Sequence, residues 1–503
     1  MAKSGVASRV TTTSILTDDI KQLSLVPAIL SLSYIFWVLG AMEMVERLAF
    51  YGVKAVATLY AKDPVSKGGL GITMTSFGNI LMIWALVQSI LPVFTGGLSD
   101  RYGYKQTIFL STLIKISGYL VMAWFPSYNG FFAGAVLLAT GTAIFKPGIQ
   151  GTLIQVTTRQ NSSMAWGIFY QTVNVGGFLG PLVAGLMRKM AWSNVFYACA
   201  SIICLNFLLL LVYKEPEKTA SVAVEAEESL WRLSLRELSK PQLWLYLTIF
   251  SGFWFMFNAL FDVLPAHIQD WVDTRAVVDV FANVKDSAIA GFFLVLSPDG
   301  TQILPEGVLN INAGLIMTTC FLFAFFSGRF RATTSMVIGT TLSSMAFLLI
   351  GVSAAPWLCI AGILVFSMGE MLSSPKFSEY LGNIAPSDKR AMYMGFSQIP
   401  LAIGWTLEGK LGPMLYDFFA SKDRFSRDLL AERGMSQIKI DAIPQGEAFE
   451  QLVNFTGENV HVLTRLLYDS HSVGYMWYVM ALVGFVTALG IVAYGRWIRR
   501  ALS

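Results

Sequence analysis

An otherwise apolar run near residues 31–60 holds four charged side chains, Glu43, Glu46, Arg47 and Lys54. At about 100° per residue, Glu43, Arg47, Tyr51 and Lys54 share one face of a helix, with Glu46 beside it. The run is long enough to cross a bilayer, where each centrally placed charge costs roughly 2.5–3.5 kcal/mol on insertion scales. These side chains therefore face a cavity or each other, not lipid. Such a cluster suits proton transfer: poor hydration disfavours the charged carboxylate and a neighbouring cation favours it, so the balance can switch. The same residues would also serve as a structural ion-pair cluster that locks helices together.

The chain around them has 503 residues, 54% hydrophobic and 14% charged, with a mean hydropathy of +0.58. A soluble domain is nearer a quarter charged. Runs of about twenty apolar residues can each cross a hydrocarbon core roughly 30 Å thick. Twelve such runs predict helices near 31–60, 73–97, 106–125, 130–155, 164–187, 193–213, 242–265, 309–327, 333–353, 357–381, 389–418 and 473–497. They form a bundle over 31–213 and a second over 242–497, following an N-terminal tail (1–30) and ending in a short tail (498–503). The segment 214–241 is a charged linker that becomes amphipathic around Leu230 to Leu238. Two polar insertions, near 267–308 and 419–471, interrupt the second bundle. In the first, Pro298-Asp299-Gly300-Thr301 between apolar stretches signals a turn of a small hairpin, with a helix fragment as the alternative.

The net charge of +4 is not clustered as nucleic-acid binding requires. Lys and Arg instead concentrate in the even-numbered connections and the tails, which predicts a multi-pass protein of the plasma or bacterial inner membrane with both termini cytoplasmic. Residues 1–25 lack the apolar core of a cleavable signal peptide. Four cysteines inside apolar runs read as packing residues, and three scattered histidines do not make a metal site. No nucleophile motif or phosphate-cradling loop appears, so neither an enzyme nor a cofactor is expected.

Between the second and third helices, GGLSDRYGYK (Gly96 to Lys105) resembles the loop signature of the major facilitator superfamily. Its Asp100, Arg101 and Lys105 could form an ion-pair latch that gates one face. The resemblance implies an all-α membrane protein of the major facilitator fold, with twelve transmembrane helices in two six-helix bundles. EMVERLAFYGVK in the first helix is similar to the first-helix signature of the proton-dependent oligopeptide transporter (POT) family, with Leu48 and Phe50 departing from it. FYQTVNVG (Phe169 to Gly176) and EMLSSP (Glu370 to Pro375) resemble the same family's fifth- and tenth-helix motifs.

This resemblance implies proton coupling through Glu43, Glu46, Arg47 and Lys146, the last standing at the family's intramembrane lysine in GTAIFKPG. It implies substrate binding by Tyr51, Lys54, Asn174, Glu370 and Asn312: Lys54 would receive a peptide carboxylate and Glu370 its amino terminus. Asp262 and Trp405 are added as an acidic residue of the seventh helix and an aromatic wall, with Phe50 and Trp254 as further walls. The expected partners are a peptide or small-molecule substrate, protons and the lipid bilayer, and the chain is expected to be monomeric. A substrate carboxylate would take over Arg47 or Lys146 once Glu46 is protonated.

Other features leave alternatives open. Gly176, Gly180, Pro181 and Gly185 resemble a pattern of drug antiporters, although small residues at this spacing commonly mean close helix packing. Lys376 with Glu379, and Glu408 with Lys410, read either as compensating ion pairs between the tenth and eleventh helices or as the mark of a differently charged substrate. A nutrient sensor built on a transporter fold is a third reading.

Overall fold

The computed structural model describes residues 25–158, 161–215, 230–285, 287–327, 329–386 and 390–502. Among them, twelve helices of 21–29 residues carry the architecture. The first six are α1 (Tyr34–Lys62), α2 (Met74–Tyr102), α3 (Tyr104–Trp124), α4 (Tyr128–Val156), α5 (Ser162–Arg188) and α6 (Trp192–Val212). The second six are α7 (Pro241–Asp262), α8 (Pro305–Ser327), α9 (Ala332–Val352), α10 (Pro356–Ile384), α11 (Gln398–Phe419) and α12 (Tyr475–Leu502). Eight of these are long and apolar enough to cross a membrane by length and composition alone. Helices α1 and α11, which carry Glu43, Glu46, Arg47 and Lys54 and Glu408 and Lys410, are not among the eight.

Each set of six packs as a bundle, and the two meet along α2 against α11 and α5 against α8. Small residues let the backbones approach at these crossings. A Cβ added to Gly78 of α2 would stand 2.9 Å from the Gly409 carbonyl of α11. Within the first bundle, a Cβ on Gly176 or Gly180 of α5 would meet the Met44 or Leu48 carbonyl of α1 at 2.5 or 2.6 Å. The glycine spacing in α5 is thus used for close helix packing, which removes the weight it lends to an antiporter.

Helix α2 runs through Tyr102, so most of the Gly96 to Lys105 signature is helical and not a loop. The chain turns only at Gly103, whose φ of +96° favours glycine. The expected eleventh helix is divided: Arg390–Phe396 is a separate helix and α11 begins at Gln398. Helix α12 continues through Leu502, so the expected tail from 498 is helical as far as that residue. The tail 1–24 and linker residues 216–229 lie outside the described residues, and the linker's amphipathic end forms a helix, Leu230–Leu238.

The two insertions lie at the end of the bundles opposite the linker, here the cap end. In the first, a helix (Ala288–Leu294) is followed by a single antiparallel bridge, Leu296 to Ile303, around the Pro298 turn, so hairpin and helix fragment are both present. The second folds into four helices, Lys422–Glu432, Gln437–Asp441, Ala448–Thr456 and Val460–Ser470. Asp423 ties it together, accepting from the Gly446 and Ala448 amides at 2.9 and 3.1 Å and pairing with Arg427 at 2.9 Å. Lys422 donates to the Asp270 carbonyl and to Thr464 and lies over the Phe449 ring, and burial pushes its ammonium down to about 8.

Candidate functional site

Midway along α1, Glu43 and Arg47 are one turn apart and pair at 2.8 Å, while Glu46 approaches the same Arg47 Nε at 2.9 Å. Glu46 is 1% exposed. Its other oxygen accepts from the Thr142 hydroxyl of α4 at 3.3 Å and lies 3.5 Å from the Lys115 ammonium of α3. Lys115 is itself 1% exposed and sits 3.8 Å above the Phe145 ring. Its stem passes over Gly141 of α4, where a Cβ would occupy the same space. The cluster is therefore closed within the first bundle, with a carboxylate held between two cations and a hydroxyl.

Lys146 of α4 stands near enough to Glu43 and Glu46 to act on them electrostatically but makes no ion pair within 4.0 Å among the described residues. Lys115, which is not among the expected residues, comes closer to Glu46, at 3.5 Å. It is a lone cation in an apolar run, and the insertion cost that singled out the first-helix charges would have singled it out as well.

One turn beyond Arg47, a cavity of about 230 Å³ opens between the bundles. Tyr51 and Lys54 of α1 and Tyr170 and Asn174 of α5 line it from the first bundle. Asn312 of α8, Glu370 of α10, and Trp254 and Trp405 of α7 and α11 line it from the second. Asn312 donates to Glu370 at 3.1 Å and to Ser367 at 2.9 Å, which fixes the carboxyl group towards the cavity's polar wall. Asn174 donates to the Tyr170 carbonyl at 2.9 Å. Trp254 and Trp405 meet edge to face with centroids 6.2 Å apart. The site thus has a cation on one bundle, a carboxyl group on the other, and aromatic walls between.

Asp262 does not line this cavity. It pairs with Lys54 at 2.5 Å, and both oxygens are engaged because Asn258 donates to it at 2.5 Å. The Asp262 carbonyl also accepts from Thr58 at 2.7 Å. This is the innermost of several contacts that join the bundles at the cap end. Lys62 pairs with Asp270, Arg188 with Glu306 at 2.5 Å, and Gln269 donates to Asp63 at 2.8 Å. Asp417 of α11 receives the Met74 and Thr75 amides at the start of α2. The second insertion adds Ser66 to Glu447 and Lys67 to Glu450. The cap end is closed by paired polar groups.

The remaining expected charges fall differently. Lys376 and Glu379 pair with each other at 2.6 Å along α10. Glu408 and Lys410 do not join α10: Lys410 donates to Asn79 of α2 at 2.5 Å, and Glu408 accepts from Asn258 of α7 at 2.7 Å. Residues two apart on a helix point about 200° apart, so one turns to each neighbour. Of the expected gating residues, the side chains of Asp100 and Arg101 lie outside the described residues. Lys105 donates to the Tyr213 carbonyl at 3.1 Å, and the Tyr104 amide donates to Glu215 at 2.9 Å, which ties the end of the signature to the start of the linker.

Residues 28–407 match the family model of the Major Facilitator Superfamily. The chain is 28% identical over 163 residues to the protein described as uncharacterized transporter YclF of Bacillus subtilis (strain 168), which covers 32% of this chain and 33% of that protein. It is 23% identical over 353 residues to the multidrug resistance protein MdtH of Edwardsiella ictaluri (strain 93-146), covering 69% of this chain and 79% of that protein. Among solved structures, a crystal structure of peptide transporter POT in complex with sulfate superposes with a TM-score of 0.66. Identity there is 16%, over 93% of this chain and 95% of that one, a likeness that shows the fold.

Proposed function

Because the chain belongs to the major facilitator superfamily, and is a multi-pass membrane transporter and not an enzyme, we propose that it is a proton-coupled symporter of small peptides or related zwitterionic solutes. In this reading it is a divergent member of the POT family. The observation that carries the proposal is the cavity with Lys54 on one bundle and Glu370 on the other. A zwitterion with its carboxylate and ammonium several ångströms apart bridges these ends and draws the bundles together, so binding energy drives the rocking of one bundle against the other.

The proton enters through Glu46. While ionised, Glu46 holds Arg47 and Lys115; protonated, it releases part of that positive charge towards the cavity, where a substrate carboxylate replaces it. The linker end lies in the cytoplasm, so the paired cap end makes this the conformation closed to the outside. Tyr51, Asn174 and Asn312 orient the substrate backbone, while Trp254 and Trp405 accept varied side chains.

A panel of di- and tripeptides and their N-acetylated forms, read by thermal stabilisation, tests the substrate assignment. Free peptides are expected to stabilise the chain, and acetylation or Glu370→Gln to weaken binding by roughly tenfold or more, the loss of a charge-assisted hydrogen bond. Equal stabilisation by free and acetylated peptides would remove Glu370 from amino-terminus recognition.

A second reading, export by proton antiport, is favoured by the match to a multidrug resistance protein over 69% of the chain. The direction of substrate movement in vesicles with an imposed pH gradient separates the two.

A further inference from the structure

Glu408 of α11 is 0% exposed, in the same layer as Lys54 and Asp262. One amide, Nδ2 of Asn258, donates to Glu408 at 2.7 Å and to Asp262 at 2.5 Å, and so holds the two carboxyl groups side by side. Lys54, the cation of this layer, lies on Asp262. The charged groups facing Glu408 are Asp262 from α7 and Lys54 from α1, and among the described residues α2 and α12 bring it none. Its second oxygen, Oε1, is buried and has no hydrogen-bond partner among the described residues.

Two buried carboxylates share one ammonium, leaving one negative charge without a counter-charge and one carboxylate oxygen without a donor. Like charges this close, out of water, do not both remain ionised. A proton supplies both the missing charge and the missing donor. We propose that Glu408 is a proton-binding residue, forming with Asp262 and Asn258 a second proton site in the second bundle, separate from Glu46. Trp405, one turn before it on α11, lines the cavity, so the site adjoins the substrate. It also adjoins the cap-end closure. Ionised Glu408 adds to the pull of Asp262 on Lys54 across the bundle interface, and protonation removes it. Proton occupancy and opening at the cap end are therefore linked, and the chain would move one more proton per substrate than Glu46 alone accounts for.

The inference builds on the proton-coupled reading above, and the test separates the two. Infrared spectra of the full chain in liposomes, recorded across a pH series, report protonated carboxyl groups directly whether or not transport occurs. A protonated-carboxyl C=O component is expected in the wild type that is missing from Glu408→Gln and still present in Glu46→Gln. An identical band in wild type and Glu408→Gln would overturn the site. Asn258→Ala provides a second variant that keeps the carboxyl group. It removes a donor that favours the ionised form, so the pH at which the band is half lost is expected to rise, and an unmoved midpoint would count against the site. The proton-to-substrate ratio, from the transport reversal potential, is expected to fall by one in Glu408→Gln; an unchanged ratio would overturn its part in coupling. Uptake driven by a sodium gradient and lost in Glu408→Gln would make this a metal-cation site and overturn the proton. If wild type showed the band but no pH-gradient-driven uptake, the proton site would stand and the symport reading would fall.

Discussion

Two buried charge clusters lie about two turns apart along α1, and they are built on opposite plans. Around Glu46, every partner, Arg47, Lys115 and Thr142, comes from the first bundle. Around Asp262 the partners come from both: Lys54 and Thr58 from the first, Asn258 and Glu408 from the second. Cations match carboxylates in the first cluster, whereas carboxylates outnumber cations in the second. The first can therefore change protonation while the bundles keep their relative position. The second cannot be left intact when the bundles rock, because its ion pair crosses the interface that must part. On the proposed reading, the proton sensor and the lock on the closed end have different architectures.

The largest expected effect comes from emptying the first cluster of its shared cation. Arg47→Gln leaves Glu43 and Glu46 buried with Lys115 as the nearest remaining cation, and breaking a buried pair in this way costs about 3–5 kcal/mol. A marked fall in thermal stability with loss of uptake is expected, and near wild-type stability would break the comparison on the first side. Lys54→Gln acts on the second. Losing a charge-assisted contact of about 1.5–3 kcal/mol should shift the balance towards cap-end opening by roughly ten- to hundredfold. A cysteine placed in the cavity by Ser374→Cys should then react faster with a membrane-impermeant thiol reagent added from the cap side. The same reagent should show no such gain in Arg47→Gln; equal gains would erase the distinction between sensor and lock. The smallest effect belongs to a pair in neither cluster. Glu379 is half exposed, so Glu379→Gln should change stability by about 0.2–1 kcal/mol and leave uptake within about twofold.

Much of this was legible in the sequence because membrane helices declare themselves by length and apolarity. Eleven of the twelve expected segments correspond to single long helices displaced by a few residues at their ends, and the eleventh is divided in two. The largest boundary errors lie where polarity misled: α2 carries its charged Asp100 and Arg101 within the helix, and α11 begins after a break at Ser397. Glu43, Glu46 and Arg47 come together as the period of one helix predicts, whereas Lys54, two turns on, pairs with Asp262 of α7. Partners on other helices were harder. Lys115 reaches Glu46 only because Gly141 of α4 leaves room for its stem, a fact of packing between α3 and α4. Glu408 meets Asn258 because α11 packs on α7, whereas sequence proximity suggested α10. Spacing along one helix is readable from residues alone; which helices touch is decided by the whole bundle.

Proton-driven accumulation in liposomes tests the central claim most directly. The wild type should concentrate a dipeptide or tripeptide inside when the outside is acidified, and Glu46→Gln should lose that accumulation while still exchanging labelled for unlabelled substrate. Equal accumulation by Glu46→Gln and wild type, or substrate expelled by the wild type under the same gradient, would contradict it.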